Sequence, residues 1–237
     1  MVLSSPHKYH HSYCRDIFSG LRVQRSALKI IFEIRTPSGD IAKSLFLARP
    51  YHLPMATKYR FGDNTKPHFI TFSVVNWIDV FTRESYKEIL VESLDFCIKE
   101  KGLILHAWII MSNHVHLIAS AKEAFELAAV IRDFKKFTSR KVIESIEGNT
   151  QESRKEWMIW MFKRAGTANS NNKVYQFWQQ DNHPIELSTN EMMDQRLSYL
   201  HENPVRAGIV NFASHYQYSS AVDYYEEIAG LLKVELL

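Results

Sequence analysis

The chain has 237 residues, 46% hydrophobic and 23% charged, with a net charge of +3 and only two cysteines, Cys14 and Cys97. This is the composition of an ordinary soluble globular protein, long enough for one large domain or one domain with extensions. It argues against a disulfide scaffold and, with no C-x-x-C spacing, against a cysteine zinc site; Cys97 reads as a small apolar core residue. No apolar run approaches the ~18 residues of a membrane span, and "MVLSSPHKYHHSYCRDIF" lacks the apolar stretch of a secretory signal. The expected setting is the cytoplasm, with no membrane partner.

Residues 1–54 hold eight Lys/Arg against three Asp/Glu, a net +5, which leaves 21 against 23 in residues 55–237. Apart from "SALKIIFEI", which suits one short strand or helix turn, this segment is polar and broken by Ser, Pro and Gly, and it is expected to be a poorly ordered basic extension. One reading makes Met55 the natural start; peptides from residues 1–54 in the protein from its own host would refute it. Residues 55–237 then form the main domain, where any grip on an anion must be local.

"HFITFSVV", residues 68–75, reads as a strand. "TRESYKEILVESLDFCIKEKG" carries Tyr86, Ile89, Leu90, Leu94 and Cys97 at helical spacing, with Thr82 or Ser85 as caps and Gly102 as a stop. "LILHAWIIM" and "HVHLIASA" are two strands joined by a tight turn at Ser112-Asn113. In "AFELAAVIRDFKKFTSRKVIESIEG", Leu127, Ile131, Phe134 and Val142 share one helix face, while Arg132, Lys136 and Arg140 line another beside Lys135 and Lys141. A short helix follows in "ESRKEWMIWMFKRAG". Phe177 and Trp178 then lead, as core or as stacking aromatics, to a turn at Asn182-His183-Pro184. The last helix, in "TNEMMDQRLSYLHENPVRAGIV", starts from a Thr189 or Asn190 cap and is expected to end before Pro204. Strand, helix, strand, strand, helix, with an edge strand behind, predicts an α+β fold: a ferredoxin-like antiparallel sheet with helices packed on it.

"NHVH" opens the second strand of the hairpin. Residues i and i+2 of a strand point to one face, so His114 and His116 share a side. Imidazole is the commonest metal-ligating side chain, and a rigid strand fixes two ligand directions; alone, the pair equally suits two hydrogen-bonded histidines. In "SYLHENP", Tyr199 and Asn203 stand i, i+4 on one helix face, which puts a phenol and an amide into one place. Read separately, Tyr199 is a half-buried helix tyrosine and Asn203 a C-terminal cap.

Taken in order and spacing, "MSNHVHLI", "FWQQDNHPIEL" and "YLHENPVRAGIV" resemble the REP-associated branch of the single-tyrosine HUH transposases, over roughly residues 57–225. The resemblance implies a divalent metal, Mg2+ or Mn2+, held by His114, His116 and Asn203, with Tyr199 as nucleophile. It implies nicking of single-stranded DNA through a 5′-phosphotyrosine and a free 3′-hydroxyl, then strand transfer, on hairpin-forming repeats. The chemistry is coherent: free tyrosine, with a pKa of about 10, is a weak nucleophile, a metal can activate the phosphate instead, and a covalent intermediate keeps the bond energy for rejoining. Mn2+ accepts mixed imidazole and oxygen ligation more readily than Mg2+. Asn203 stands where many insertion-sequence relatives carry glutamine, a shorter arm. His183 belongs to the family pattern and suits a turn-stabilising role equally well.

For DNA contact, Arg206 is placed near the nucleophile, and Arg132, Lys135, Lys136 and Arg140 form a stripe that suits phosphates or is simply a solvated face. Monomer and homodimer both stay open, since relatives in the family work either way; Trp157 and Trp160 suit burial or an interface. Two other readings compete. A histidine-triad nucleotide hydrolase would need a third alternating histidine where Ile118 stands. A domesticated DNA-binding protein would keep the fold and bind repeat hairpins without cutting.

Overall fold

The structure, a computed structural model, describes residues 31–35, 41–45, 61–168, 174–180, 182, 184–226 and 228–237. Two compact units divide near residue 57. In the first, β1 (Ile31–Arg35) and β2 (Ile41–Leu45) pair antiparallel, with Ile31 opposite Leu45. Part of "SALKIIFEI" is thus a strand, as is Ile41–Leu45; apart from these two strands, residues 1–54, with Cys14 and the poor order expected there, lie outside the described residues.

In the second unit the elements run β3 (His68–Ser73), α1 (Glu84–Glu100), β4 (Leu103–Ile110), β5 (His114–Ala121), α2 (Leu127–Gly148), α3 (Lys155–Thr167), β6 (Ile185–Glu186), α4 (Asn190–Arg206) and α5 (Ala221–Tyr225). The sheet order is β4-β5-β3-β6 with every neighbouring pair antiparallel. This is the ferredoxin-like arrangement expected: β3-α1-β4 leaves a gap that β5 fills by hairpin, and β6 returns to the far edge.

Alternation along the strands sorts the two faces. Phe72 meets Phe134 of α2 and Trp178, so the even-numbered residues of β3 face α1 and α2. Leu127, Ile131, Phe134 and Val142 are all buried there, with Tyr86, Leu90, Leu94 and Cys97 of α1. Burial pushes the Cys97 thiol up to about 11, which keeps it protonated. Phe69 and Thr71 face the other side, with His114, His116 and Ile118, and α4 packs over that face against β4 and β5. The free edge of β4 is covered by the C-terminal segment: Ile110 N–H donates to Tyr218 O at 3.0 Å, and Glu235 N–H to Leu105 O at 2.8 Å.

Helix ends depart from expectation in two places. Neither Thr82 nor Ser85 caps α1: Arg83 precedes its first turn without a side-chain bond, and the Thr82 hydroxyl instead accepts from Arg154 Nη2 at 3.1 Å. The expected stop does occur, with Gly102 at φ 66° packed on Phe125. Helix α4 does not end before Pro204 but runs through it to Arg206. One turn from a helix end the missing proline N–H costs a single bond, to Leu200 O, and the ring is buried. The carbonyls of Asn203, Pro204 and Val205 are taken by Ala207, Ile209 and Gly208, and the chain turns only at Gly208, φ 69°. Thr189 is the N-cap, its hydroxyl accepting from Met192 N–H at 3.2 Å.

Phe177 and Trp178 are core residues. Trp178 stacks on Phe81 and donates Nε1–H to Thr138 Oγ1 at 3.1 Å. Trp157 and Trp160, by contrast, are exposed on α3.

Candidate active site

The site lies where the turn end of the β4–β5 hairpin meets α4. Its base is rigid because β5 is central, paired on both sides, with Thr71 opposite His116 and Ser73 opposite His114. The two imidazole rings sit 4.8 Å apart, edge to face, as same-face strand neighbours should. Above them α4 contributes Tyr199, whose ring is 5.5 Å from that of His116 and 6.1 Å from Phe69. Tyr199 is 38% exposed, so the phenol that packs beside His116 is also open to an incoming molecule.

Each histidine is fixed by its Nδ1. His116 Nδ1 lies 2.7 Å from Thr71 Oγ1; with N–H donating to that hydroxyl, Nε2 carries a lone pair. His116 Nε2 is buried and has no hydrogen-bond partner among the described residues, an arrangement that ordinarily costs free energy. His114 Nδ1 lies 2.7 Å from Asn113 Oδ1. Asn113 itself is oriented by its Nδ2, which donates to Asp79 Oδ1 at 2.8 Å and Trp77 O at 3.3 Å. Its oxygen must therefore accept from His114 Nδ1–H, which puts the lone pair of the neutral ring on Nε2.

Asn203 completes the set. Its Nδ2 donates to Tyr199 O at 3.1 Å, which leaves Oδ1 as the atom available to His114, with which the side chain interacts. A neutral imidazole lone pair and an amide oxygen are both acceptors, so a cation between them is the simplest way to satisfy both. Burial lowers the pKa of both histidines. For His116, burial first, then the His114 and Arg196 charges, bring it to about 3; for His114, burial outweighs the opposing pull of Asn203 and Asp79. Both are neutral at neutral pH, the form that ligates metals. The donor set of two imidazole nitrogens, one of them a buried orphan, plus one amide oxygen fits a divalent metal. Among the described residues no group of three His, Cys, Asp or Glu side chains forms an alternative site.

Outside this set the expected residues divide. Arg206 sits over the Tyr199 ring, its Cζ 5.4 Å from the centroid. Lys135 turns inward, donating to Gln179 O at 2.8 Å and to Asn182 Oδ1, so it ties α2 to the segment before β6. Arg132 pairs with Asp133 at 3.1 Å, Arg140 with Glu144 at 3.7 Å, and Lys136 is exposed. Among the described residues, Arg132, Lys136 and Arg140 make no hydrogen bond, ion pair or ring contact with the histidines or Tyr199. His183 lies outside the described residues.

Two participants were not singled out in the sequence. Arg196 lies one turn before Tyr199, its Cζ 5.2 Å from the Phe69 ring, and its charge reaches His116. The spacing 196, 199, 203 carries that signal, since all three fall on one helix face. The Asp79–Asn113 frame is the other; it also accepts Ser112 Oγ–H at 2.6 Å, and Arg154 Nη1 donates to Asp79 O at 2.8 Å. Arg154 is in turn held with Arg83 by the fully buried Glu152, at 3.0 and 2.7 Å.

The chain belongs to the IS200-like transposase family, whose model matches residues 50–175. That match includes His114 and His116 but stops before Tyr199 and Asn203. The fold is similar to that of a REP-associated tyrosine transposase solved bound to a REP hairpin, at 15% identity and a TM-score of 0.53, over 76% of this chain and 92% of the other. None of the curated proteins matches.

Proposed function

We propose that this protein nicks single-stranded DNA beside a hairpin and transfers the strand, with Tyr199 as the nucleophile and a divalent metal, Mg2+ or Mn2+, held by His114, His116 and Asn203. The observation that carries this reading is the buried, unpartnered Nε2 of His116 converging with His114 and Asn203 beside an exposed tyrosine. The metal supplies Lewis-acid polarisation of the scissile phosphate.

The chain's own residues account for the rest. Tyr199 Oη forms a bond to phosphorus as the bond from phosphorus to the 3′-oxygen breaks; the phenolic proton passes to water and the departing oxygen takes up a proton. The product is a 5′-phosphotyrosine and a free 3′-hydroxyl, and attack by another 3′-hydroxyl reverses the step and releases Tyr199. Arg206 and Arg196 flank the tyrosine and place positive charge where phosphate charge must be held. Neutral histidines cannot serve as that charge, so the two arginines have a distinct role. The hairpin as substrate is carried over from the structural relative's bound REP hairpin.

The test is incubation with labelled single-stranded hairpin DNA from the gene's own flank in Mn2+. A covalent adduct is expected, absent in Tyr199→Phe. An adduct that survives this substitution refutes the nucleophile. Tight binding without any adduct indicates a non-cutting hairpin binder, and hydrolysis of a nucleotide monoester without adduct indicates a histidine-triad-like activity.

A further inference from the structure

The turn between β3 and α1 holds a feature that neither the core nor the reaction above uses. Asn76 and Trp77 are consecutive non-glycine residues in left-handed backbone, each at φ 55°. Side-chain-bearing residues adopt that conformation at a cost, and it persists where the surroundings over-determine it. Here they do: Trp77 N–H donates to Val74 O at 3.0 Å, Val75 N–H to Phe177 O at 2.7 Å, and Asn113 Nδ2 to Trp77 O at 3.3 Å.

Burial of the ring is not what the strain secures, because the Trp77 indole is 58% exposed. Its ring contact is with His114, edge to face, at 6.0 Å. The same asparagine that orients His114 therefore also fixes the backbone carrying the indole. A rigid aromatic held in water at the edge of a phosphate-directed site has the form of a stacking platform. The exposed Trp160 has no such placement; it lies on α3 with the Arg164 guanidinium 5.3 Å from its ring.

We propose that Trp77 stacks the base of a nucleotide adjoining the phosphate that Tyr199 attacks, and so holds the single strand across His114. The inference rests on the DNA-cleaving reading above and adds a binding residue to it. Every base has a π face, so the contact tolerates sequence, but a base inside a duplex has both faces covered. Stacking on Trp77 thus selects unpaired over paired DNA next to the cleavage point.

The test uses fluorescence anisotropy of a labelled oligothymidylate in EDTA, where neither metal nor chemistry contributes. Trp77→Leu is expected to weaken binding about 5- to 150-fold, the range of one lost base–aromatic stack. Trp77→Phe should restore most of the affinity, and Trp160→Leu should match the parent. On an abasic strand of the same length the parent and Trp77→Leu should bind alike. Parent-level binding by a folded Trp77→Leu, or an equal loss on the abasic strand, overturns the platform and leaves the cleavage reading standing. Trp77-dependent binding without any Tyr199 adduct does the reverse. A parent that binds neither oligothymidylate nor hairpin overturns both.

Discussion

Asn113→Ala tests whether Asn113 holds the histidine pair ready for the proposed metal. The side chain makes three hydrogen bonds, to His114 Nδ1 at 2.7 Å, Asp79 Oδ1 at 2.8 Å and Trp77 O at 3.3 Å. Without it His114 is free to rotate or to change tautomer, and its Nε2 lone pair no longer points reliably at Asn203. Loss of a partner that orients a ligating histidine typically lowers metal affinity about 10- to 100-fold, or ~1.4–2.7 kcal/mol. Fold stability should fall by about 1–3 kcal/mol, since two of the three bonds are exposed, the third is part-buried, and each is worth ~0.5–1.5 kcal/mol net. Electron paramagnetic resonance of free Mn2+ during titration reads the affinity directly, and urea unfolding reads stability beside it. A folded Asn113→Ala protein whose Mn2+ affinity stays within about twofold of the parent refutes the argument, because orientation by Asn113 would then contribute nothing.

Other outcomes follow from the same contacts. Glu152→Ala removes a buried acceptor shared by two arginines that are themselves 39% and 35% exposed, so it should cost about 2–3 kcal/mol in urea unfolding. Acid should have a related effect: arginine bonding holds the Glu152 carboxyl at about 2, so its contribution is present above the usual 4.5 and is lost as pH falls through about 2. His201 is buried between Ser220 Oγ, at 2.9 Å, and Tyr225 Oη, and burial lowers its pKa to about 4. Its neutral form therefore contributes fully above 6.5 and progressively less as pH falls through about 4, in the same direction as His116; His201→Gln should flatten the urea-midpoint profile in that window. Arg206→Ala and Arg196→Ala should each slow adduct formation about tenfold or more while lowering the salt slope of single-strand binding by about 0.7, and an unchanged slope would exclude phosphate contact.

Legibility differed by the range over which each feature is decided. Strands β3, β4 and β5 and helices α1 and α2 were readable because their apolar periods are strong and their ends are marked, as at Gly102. The relation of His114 to His116 was readable too, since a strand fixes it within three residues. The end of α4 was not: Pro204 looks like a stop locally, but its ring is buried, and the carbonyls of Asn203, Pro204 and Val205 find donors just beyond, so the helix runs on to Arg206 before the turn at Gly208. Thr82 looked like a cap and is instead a partner for Arg154.

The sequence by itself determined which chemistry was on offer: two same-facing imidazoles on one strand, and a phenol with an amide one helical turn apart. Their convergence, the burial that keeps His116 neutral, and the orphaned Nε2 depend on α4 lying over the odd-numbered face of β3, which only tertiary structure decides. So does the division of the basic residues. Lys135 and Arg206 are both basic helix residues in the sequence, and packing turns one inward to carbonyls while leaving the other over Tyr199. Local pattern fixes directions along one element; distances between elements come from how their faces are buried together.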